Sequence, residues 1–341
     1  MRSLARFLAL LFTLALVAAA CGSGSDDVGA TSDSNDPAEL DQTDDETADS
    51  GESSAGNEEE ADIASFPVTV STDTGDVTIE ARPERVVSMS ATATEMLFAL
   101  DAGDQVIAVD TSSNFPAEAP TTDLDGFGAN AEAILTYEPD LVVIFFDPGG
   151  LADGLSAAGV PTYTAGAALA LDDVYTQIEQ LGVLTGNMGS AAALTASMQA
   201  EIDDLVAQLP ERDEPLTYYH ELDDTLFTVT SSTFAGEIYA LAGLVNVADA
   251  ADEDGSQFGY PQLSAEYLID VNPDLVFLAD TKCCGQDLDT VSARAGFDRL
   301  EAVQHGRVVE LDDDIASRWG PRVVDFLRAI VEASGAVEAV G

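Results

Sequence analysis

Positive charge is scarce in this chain: 12 Lys and Arg stand against 63 Asp and Glu in 341 residues, a formal net charge of −51. Such a surface repels phosphate backbones and anionic headgroups, which excludes nucleic acid and acidic lipid as partners. Histidine is nearly missing. With only His220 and His305, a three-histidine zinc or manganese site cannot be built. Cysteine is confined to Cys21, Cys283 and Cys284, and no CxxC pair accompanies them. No GxSxG elbow, HExxH helix, GxxxxGK[ST] loop or GxGxxG turn is present, so the common signatures of serine hydrolases, zinc proteases, P-loop NTPases and dinucleotide-binding enzymes are absent. The apolar run at residues 7–20 is too short to span a bilayer.

What is present begins with an export signal. Arg2 and Arg6 precede the apolar run and small residues lead to Cys21, so residues 1–21 read as a signal peptide. Val17-Ala18-Ala19-Ala20-Cys21-Gly22-Ser23 resembles a bacterial lipoprotein cleavage box, in which the cysteine becomes the lipidated first residue. The other reading is a plain secretory signal cut after Ala20, with Cys21 free. Residues 22–65 then carry 15 acidic residues and no Lys or Arg, and cannot bury enough apolar surface to offset their ordering entropy. They are expected to form a disordered tether reaching about 35–40 Å. On the lipoprotein reading, the protein is exported and lipid-anchored through Cys21 to the outer face of the cytoplasmic membrane.

The rest of the chain repeats itself. Residues 130–142 read NAEAILTYEPDLV and residues 264–276 read SAEYLIDVNPDLV, with Ala, Glu, Pro, Asp, Leu and Val recurring at an offset of 134. In each copy a helical stretch ends before a proline, and an apolar run follows at 141–146 or 275–279, the pattern of a buried parallel strand. Upstream of each copy lies a similar unit: strand 86–89 then helix 94–100, and strand 225–230 then helix 237–241. The spacing predicts two related α/β lobes, at residues 66–186 and 211–341. Between them Leu194, Met198, Ile202, Leu205 and Leu209 recur at helical spacing until Pro210, so residues 187–210 are expected to form one connecting helix about 30 Å long.

With these residues in view, the region from 66 onward resembles the class III substrate-binding proteins of ABC importers, which take up ferric siderophores, haem and cobalamin. The carrying segments are RVVSMSATATEMLFALDAGDQVIAVD (85–110), AEAILTYEPDLVV (131–143), YPQLSAEYLIDVNPDLVFLAD (260–280) and VVELDDDIASRWGPRVVDFL (308–327). The resemblance implies two Rossmann-like lobes joined by a single long helix, with a ligand cleft between them. It implies a monomeric binding protein, not an enzyme, without a cofactor of its own, that hands a chelate to an ABC permease driven by its cytoplasmic ATPase. A ferric siderophore is the first ligand expected, because an aromatic cleft beside a local supply of arginine suits one; haem and cobalamin are the alternatives. The resemblance further implies that one glutamate from the first helix of each lobe docks on the permease, here Glu95 in ATATEMLFAL and Glu237 in FAGEIYALAG. Residues 92–95 also read as a capping box, and Glu237 as a carboxylate placed to suit its helix dipole. An exported α/β hydrolase and a structural envelope lipoprotein are the rivals from other classes.

Ligands of open α/β sheets bind outside the carboxyl ends of the strands. That rule points to the loops at 88–92, with Ser90, and at 110–115, 146–150, 219–221, 230–234, 256–260, 281–286 and 313–319. Phe115, Tyr219, Phe234, Phe258, Tyr260 and Trp319 concentrate there, rings suited to a large, partly apolar ligand. Arg318 beside Trp319 is placed either to grip a carboxylate or phosphate or to pair with Asp312, Asp313 or Asp314. His220 either faces the cleft or sits hydrogen-bonded in the lobe, and Tyr219, Tyr260 and His220 are the candidates to serve a haem iron. Cys283 and Cys284 have three states open to them: a vicinal disulfide, two thiols, or two soft metal ligands. An oxidising exterior favours the disulfide.

Overall fold

The computed structural model describes residues 65–147 and 149–337. The signal peptide with Cys21, and the tether except for Ser65, lie outside the described residues.

A hairpin of β1 (Val68–Thr72) and β2 (Gly75–Ile79) leads into a parallel sheet of β3 (Val86–Met89), β4 (Val106–Val109), β5 (Leu141–Ile144) and β6 (Thr162–Thr164), in the order β4-β3-β5-β6. Helices α1 (Ala91–Ala99), α2 (Ala131–Leu135) and α3 (Leu151–Ala157) connect its strands, and α4 (Leu171–Thr185) and α5 (Met188–Val206) follow. The second sheet holds β7 (Thr217–Glu221), β8 (Val245–Asn246), β9 (Leu275–Leu278) and β10 (Val308–Glu310), in the order β10-β9-β7-β8. Its helices are α6 (Phe234–Leu241), α7 (Ala265–Val271), α8 (Thr281–Cys284), α9 (Leu288–Ser292), α10 (Glu301–Gln304), α11 (Asp313–Ser317) and α12 (Val323–Ala336). In both sheets the first strand of the half lies between the second and the third, with the fourth outside, so the sequence repeat is a repeat of topology. The offset of 134 holds at the level of elements. Leu141 and Leu275 start equivalent strands, and Asn130 and Ser264 are the N-caps of α2 and α7, accepting from the Ala133 and Tyr267 N–H groups at 2.8 and 3.1 Å.

Every residue of β3, β5 and β9 is buried, as expected of parallel strands covered by helices on both faces. The outer face of each sheet packs a cluster of its own, around Val87, Ile134 and Leu155 in one half and Leu268, Phe297 and Leu300 in the other. The inner faces do not stay separate. Val86, Met96 and Leu141 of the first half join Tyr239, Phe277, Phe326 and Ile330 of the second in one continuous core, through Leu181 and Leu184 on α4 and Met198 and Ile202 on α5.

The connecting helix expected at 187–210 is α5 (Met188–Val206), which packs on α4; α4 stops at Gly186, whose φ of 77° suits a helix C-terminus. One expectation is corrected. The first strand of the second half is β7, not residues 225–230. There Asp223 accepts from the Thr225 N–H at 2.8 Å, Leu226 takes a φ of 70°, and the Leu222 N–H donates to the Phe227 carbonyl at 2.9 Å, which closes a turn inside the alternating pattern. Among the described residues no helix is long and apolar enough to cross a membrane.

Candidate functional site

The carboxyl ends of the strands face a cleft divided by Trp319. On one side, a compartment of about 230 Å³ is lined from the first half by Ser90, Asp110, Gly126, Phe127 and Phe145, and from the second by Ser317 and Trp319. On the other, about 430 Å³ is lined by Leu169, His220, Phe234, Phe258, Tyr260, Cys283, Asp313, Ser317 and Trp319, among others. The Trp319 and Phe145 ring centroids lie 5.4 Å apart, so the dividing ring is braced against the first half. Its indole Nε1 is buried with no hydrogen-bond partner among the described residues. The rim is apolar and open: Phe127 is 67 %, Leu169 73 % and Phe258 87 % exposed. Gly126 packs closely on Asp110: a Cβ there would come within 2.5 Å of an Asp110 carboxylate oxygen, which would have to move.

Ser90 lines the smaller compartment, Phe234, Tyr260 and Cys283 the larger, and Trp319 both; His220 touches the larger one from beneath, 1 % exposed and hydrogen-bonded within its lobe. Ser90 also caps α1, accepting from the Ala93 N–H at 3.2 Å. Phe127 and Leu169 were not expected in the cleft: each sits mid-loop, some residues beyond its strand, and a large apolar residue flanked by glycine or alanine is the only signal either gives. Tyr219 is corrected. Its ring lies in the outer core of the second half and its hydroxyl reaches Glu221 at 3.3 Å, so it does not line the cleft. Phe115 is corrected too, since it lines a separate cavity of about 350 Å³ with Glu95, Phe98, Pro321 and Arg322.

Arg318 does not reach into the cleft as a ligand group. It donates to Glu95 Oε1 at 2.8 Å, Asn114 Oδ1 at 2.8 Å, the Ser112 carbonyl at 3.0 Å and Asp314 Oδ1 at 2.7 Å, tying the second half to the first. Arg322 donates through Nε to Glu95 Oε2 at 2.8 Å and lays its guanidinium 4.3 Å from the Phe115 ring centroid. Glu95, 3 % exposed, is thus the buried centre of an inter-lobe ion cluster and not a surface docking group. Glu237 is half-buried and accepts from the Leu171 N–H at the start of α4 at 3.0 Å, again across the two halves. Burial raises its pKa, helped by Asp172 and Asp173.

Beneath the larger compartment, His220 Nδ1 meets the Tyr239 hydroxyl at 2.8 Å, and burial pushes the histidine down to about 4, so it is neutral. Glu221 is buried and held by Arg294 through two hydrogen bonds of 2.6 Å. Asp280, fully buried beside that pair with neither oxygen hydrogen-bonded among the described residues, is pushed up to about 7 by burial and by the Glu221 charge. Cys283 and Cys284 are joined in a disulfide, the first of their three states; Cys283 lines the cleft, and Cys284, expected there, does not. Asp313 fastens this loop, accepting from the Cys283 N–H at 2.8 Å and from the Thr281 hydroxyl at 2.9 Å.

The model of a family described as periplasmic binding protein matches residues 86–315, which contain nearly all of the cleft. A substrate-binding lipoprotein of an ABC transporter from Bacillus subtilis (strain 168), YvrC, is 30 % identical over 278 residues, covering 79 % of this chain and 85 % of its own. A cobalamin-binding protein of Halobacterium salinarum (strain ATCC 29341 / DSM 671 / R1) is 29 % identical over 286 residues, covering 79 % of this chain and 74 % of its own. Among solved structures, the apo form of the periplasmic haem-binding protein RhuT from Roseiflexus sp. RS-1 superposes with a TM-score of 0.64 at 25 % identity, over 74 % of this chain and 99 % of that one.

Proposed function

Because the chain belongs to the periplasmic binding protein family, we propose that it is the extracytoplasmic ligand-binding component of an ABC importer, capturing a bulky metal chelate and passing it to a permease and its ATPase. One observation carries this reading: an aromatic-rimmed cleft built from both halves and divided by Trp319, which offers a large flat ligand two faces to stack on. Anchoring through a lipid on Cys21 belongs to the same proposal, and the Bacillus subtilis relative is itself a lipoprotein by name. The matched relatives are binding proteins rather than enzymes, which accords with a role without chemistry. A second reading narrows the chelate to cobalamin, favoured by the Halobacterium salinarum relative.

With Glu95 and Glu237 engaged between the halves, the permease contact falls elsewhere. Glu132 and Glu266 are separated by the repeat offset, sit in the first turns of α2 and α7, and are both exposed. A permease with two equivalent halves needs one such group on each lobe.

Trp319 is the only tryptophan in the chain, so its emission reports on the cleft directly. Titration with cobalamin, haem and ferric chelates should change that emission saturably for at least one of them. No response and no retention in equilibrium dialysis by any member would remove the proposal.

A further inference from the structure

Resting on the ligand-binding reading above, we infer that the cleft selects chelates carrying no net negative charge and rejects polyanionic ones.

Among the described residues, neither compartment has a Lys or Arg in its lining. The ionisable groups that do face it are Asp110 and Asp313, with His220 buried and neutral. The cations nearest in sequence are already used. Arg318 has four acceptors of its own, Arg322 is held by Glu95 and Phe115, and Lys282 at the rim pairs with Asp312 at 2.6 Å and Asp314 at 3.2 Å. An anionic ligand would meet two carboxylates with no counter-charge, inside a protein of net charge −51. What the cleft offers instead is apolar surface on Phe127, Phe145, Phe258 and Tyr260, suited to a ligand held by contact rather than by charge. The expectation of an arginine-assisted anion site is therefore replaced by selection on charge and apolar contact.

The test compares the mature chain's affinity for cyanocobalamin and an uncharged ferric trihydroxamate with that for a trianionic ferric tris-catecholate and for haem with its two carboxylates. Trp319 emission and equilibrium dialysis serve as readouts. At least one uncharged chelate should bind about 100-fold or more tighter than the tris-catecholate, and added salt should strengthen the residual binding of the anion by screening the repulsion. Ser317→Arg, at an exposed position lining both compartments, should narrow the gap about tenfold, an advantage that salt removes. Tight binding of the tris-catecholate or haem, weakened by salt, would overturn the inference while leaving the ligand-binding reading intact. Silence from all four chelates would overturn both.

Discussion

Glu95 and Glu237 reach across the two halves of the chain in opposite directions, the first to Arg318 at 2.8 Å and the second to the Leu171 N–H at 3.0 Å. Each stands on the first helix of its half. The helix that begins each repeat thus also fastens it to the other, but the two fastenings differ in kind. One is a buried carboxylate between two guanidinium groups, the other a single neutral donor on a half-buried acid.

Removing them should therefore cost different amounts. Glu95→Ala leaves two partly buried cations short of a partner and is expected to lose stability near the low end of roughly 3–5 kcal/mol, since Arg318 keeps Asp314 and Asn114. Glu237→Ala should lose about 1 kcal/mol. Urea unfolding of both variants checks the order, and equal losses would mean the ion cluster does not hold the halves as described.

Charge reversal at Glu132 and Glu266 should separate capture from delivery. The double variant Glu132→Arg, Glu266→Arg is expected to keep chelate affinity within about twofold, because both positions are surface groups on helix ends, and to abolish uptake by cells. Normal transport by the double variant would dismiss this docking pair.

Asp280 and His220 give stability opposite dependences on pH. Asp280 is raised to about 7, so the folded chain keeps a proton that the unfolded chain loses. The stability it contributes is complete below the ordinary carboxylate range and is lost as pH rises toward 7. His220 is lowered to about 4; its contribution is present above roughly 6.5 and is lost as pH falls through 4. Asp280→Asn should raise the melting temperature at pH 8 relative to the parent chain, by about 2–4 °C for each kcal/mol recovered, with the gain fading by pH 4. A gain independent of pH would show that Asp280 does not titrate in this window.

The Cys283–Cys284 bond is open to a direct check. Native chain treated with iodoacetamide should take up no label at either residue, and prior reduction should add two. Peptide mass spectrometry around Lys282 keeps Cys21 out of the count. Labelling of both thiols without a reductant would contradict the disulfide.

Legibility in the sequence followed the range of the interactions involved. Strands β3, β5 and β9 were readable because a strand buried on both faces writes itself as an unbroken apolar run, and the repeat showed up because α2–β5 and α7–β9 kept their spacing. A strand end near Tyr219 is readable, but the alternating pattern points to residues 225–230 as the strand paired with α6 in the repeat, because the TYYHE sequence of β7 buries a histidine and a glutamate whose partners Tyr239 and Arg294 are visible only in three dimensions. In the same way, Arg318 looked available because Glu95 lies 223 residues away from it. Trp319, Tyr260 and Phe234 could be placed in the cleft because topology alone fixes which loops stand at the strand ends.

The core that runs unbroken beneath both sheets bears on the speed of capture. Swinging one half away from the other would expose Phe326, Ile330, Met198 and their neighbours to water, so a wide hinge opening is disfavoured at each encounter. What remains free to give way is the exposed collar of Phe127, Leu169 and Phe258, whose rotamers change in picoseconds to nanoseconds rather than the microseconds to milliseconds of domain swings. Association should then be limited by collision and orientation, with a single kinetic phase proportional to chelate concentration, and residence time should carry the differences between ligands.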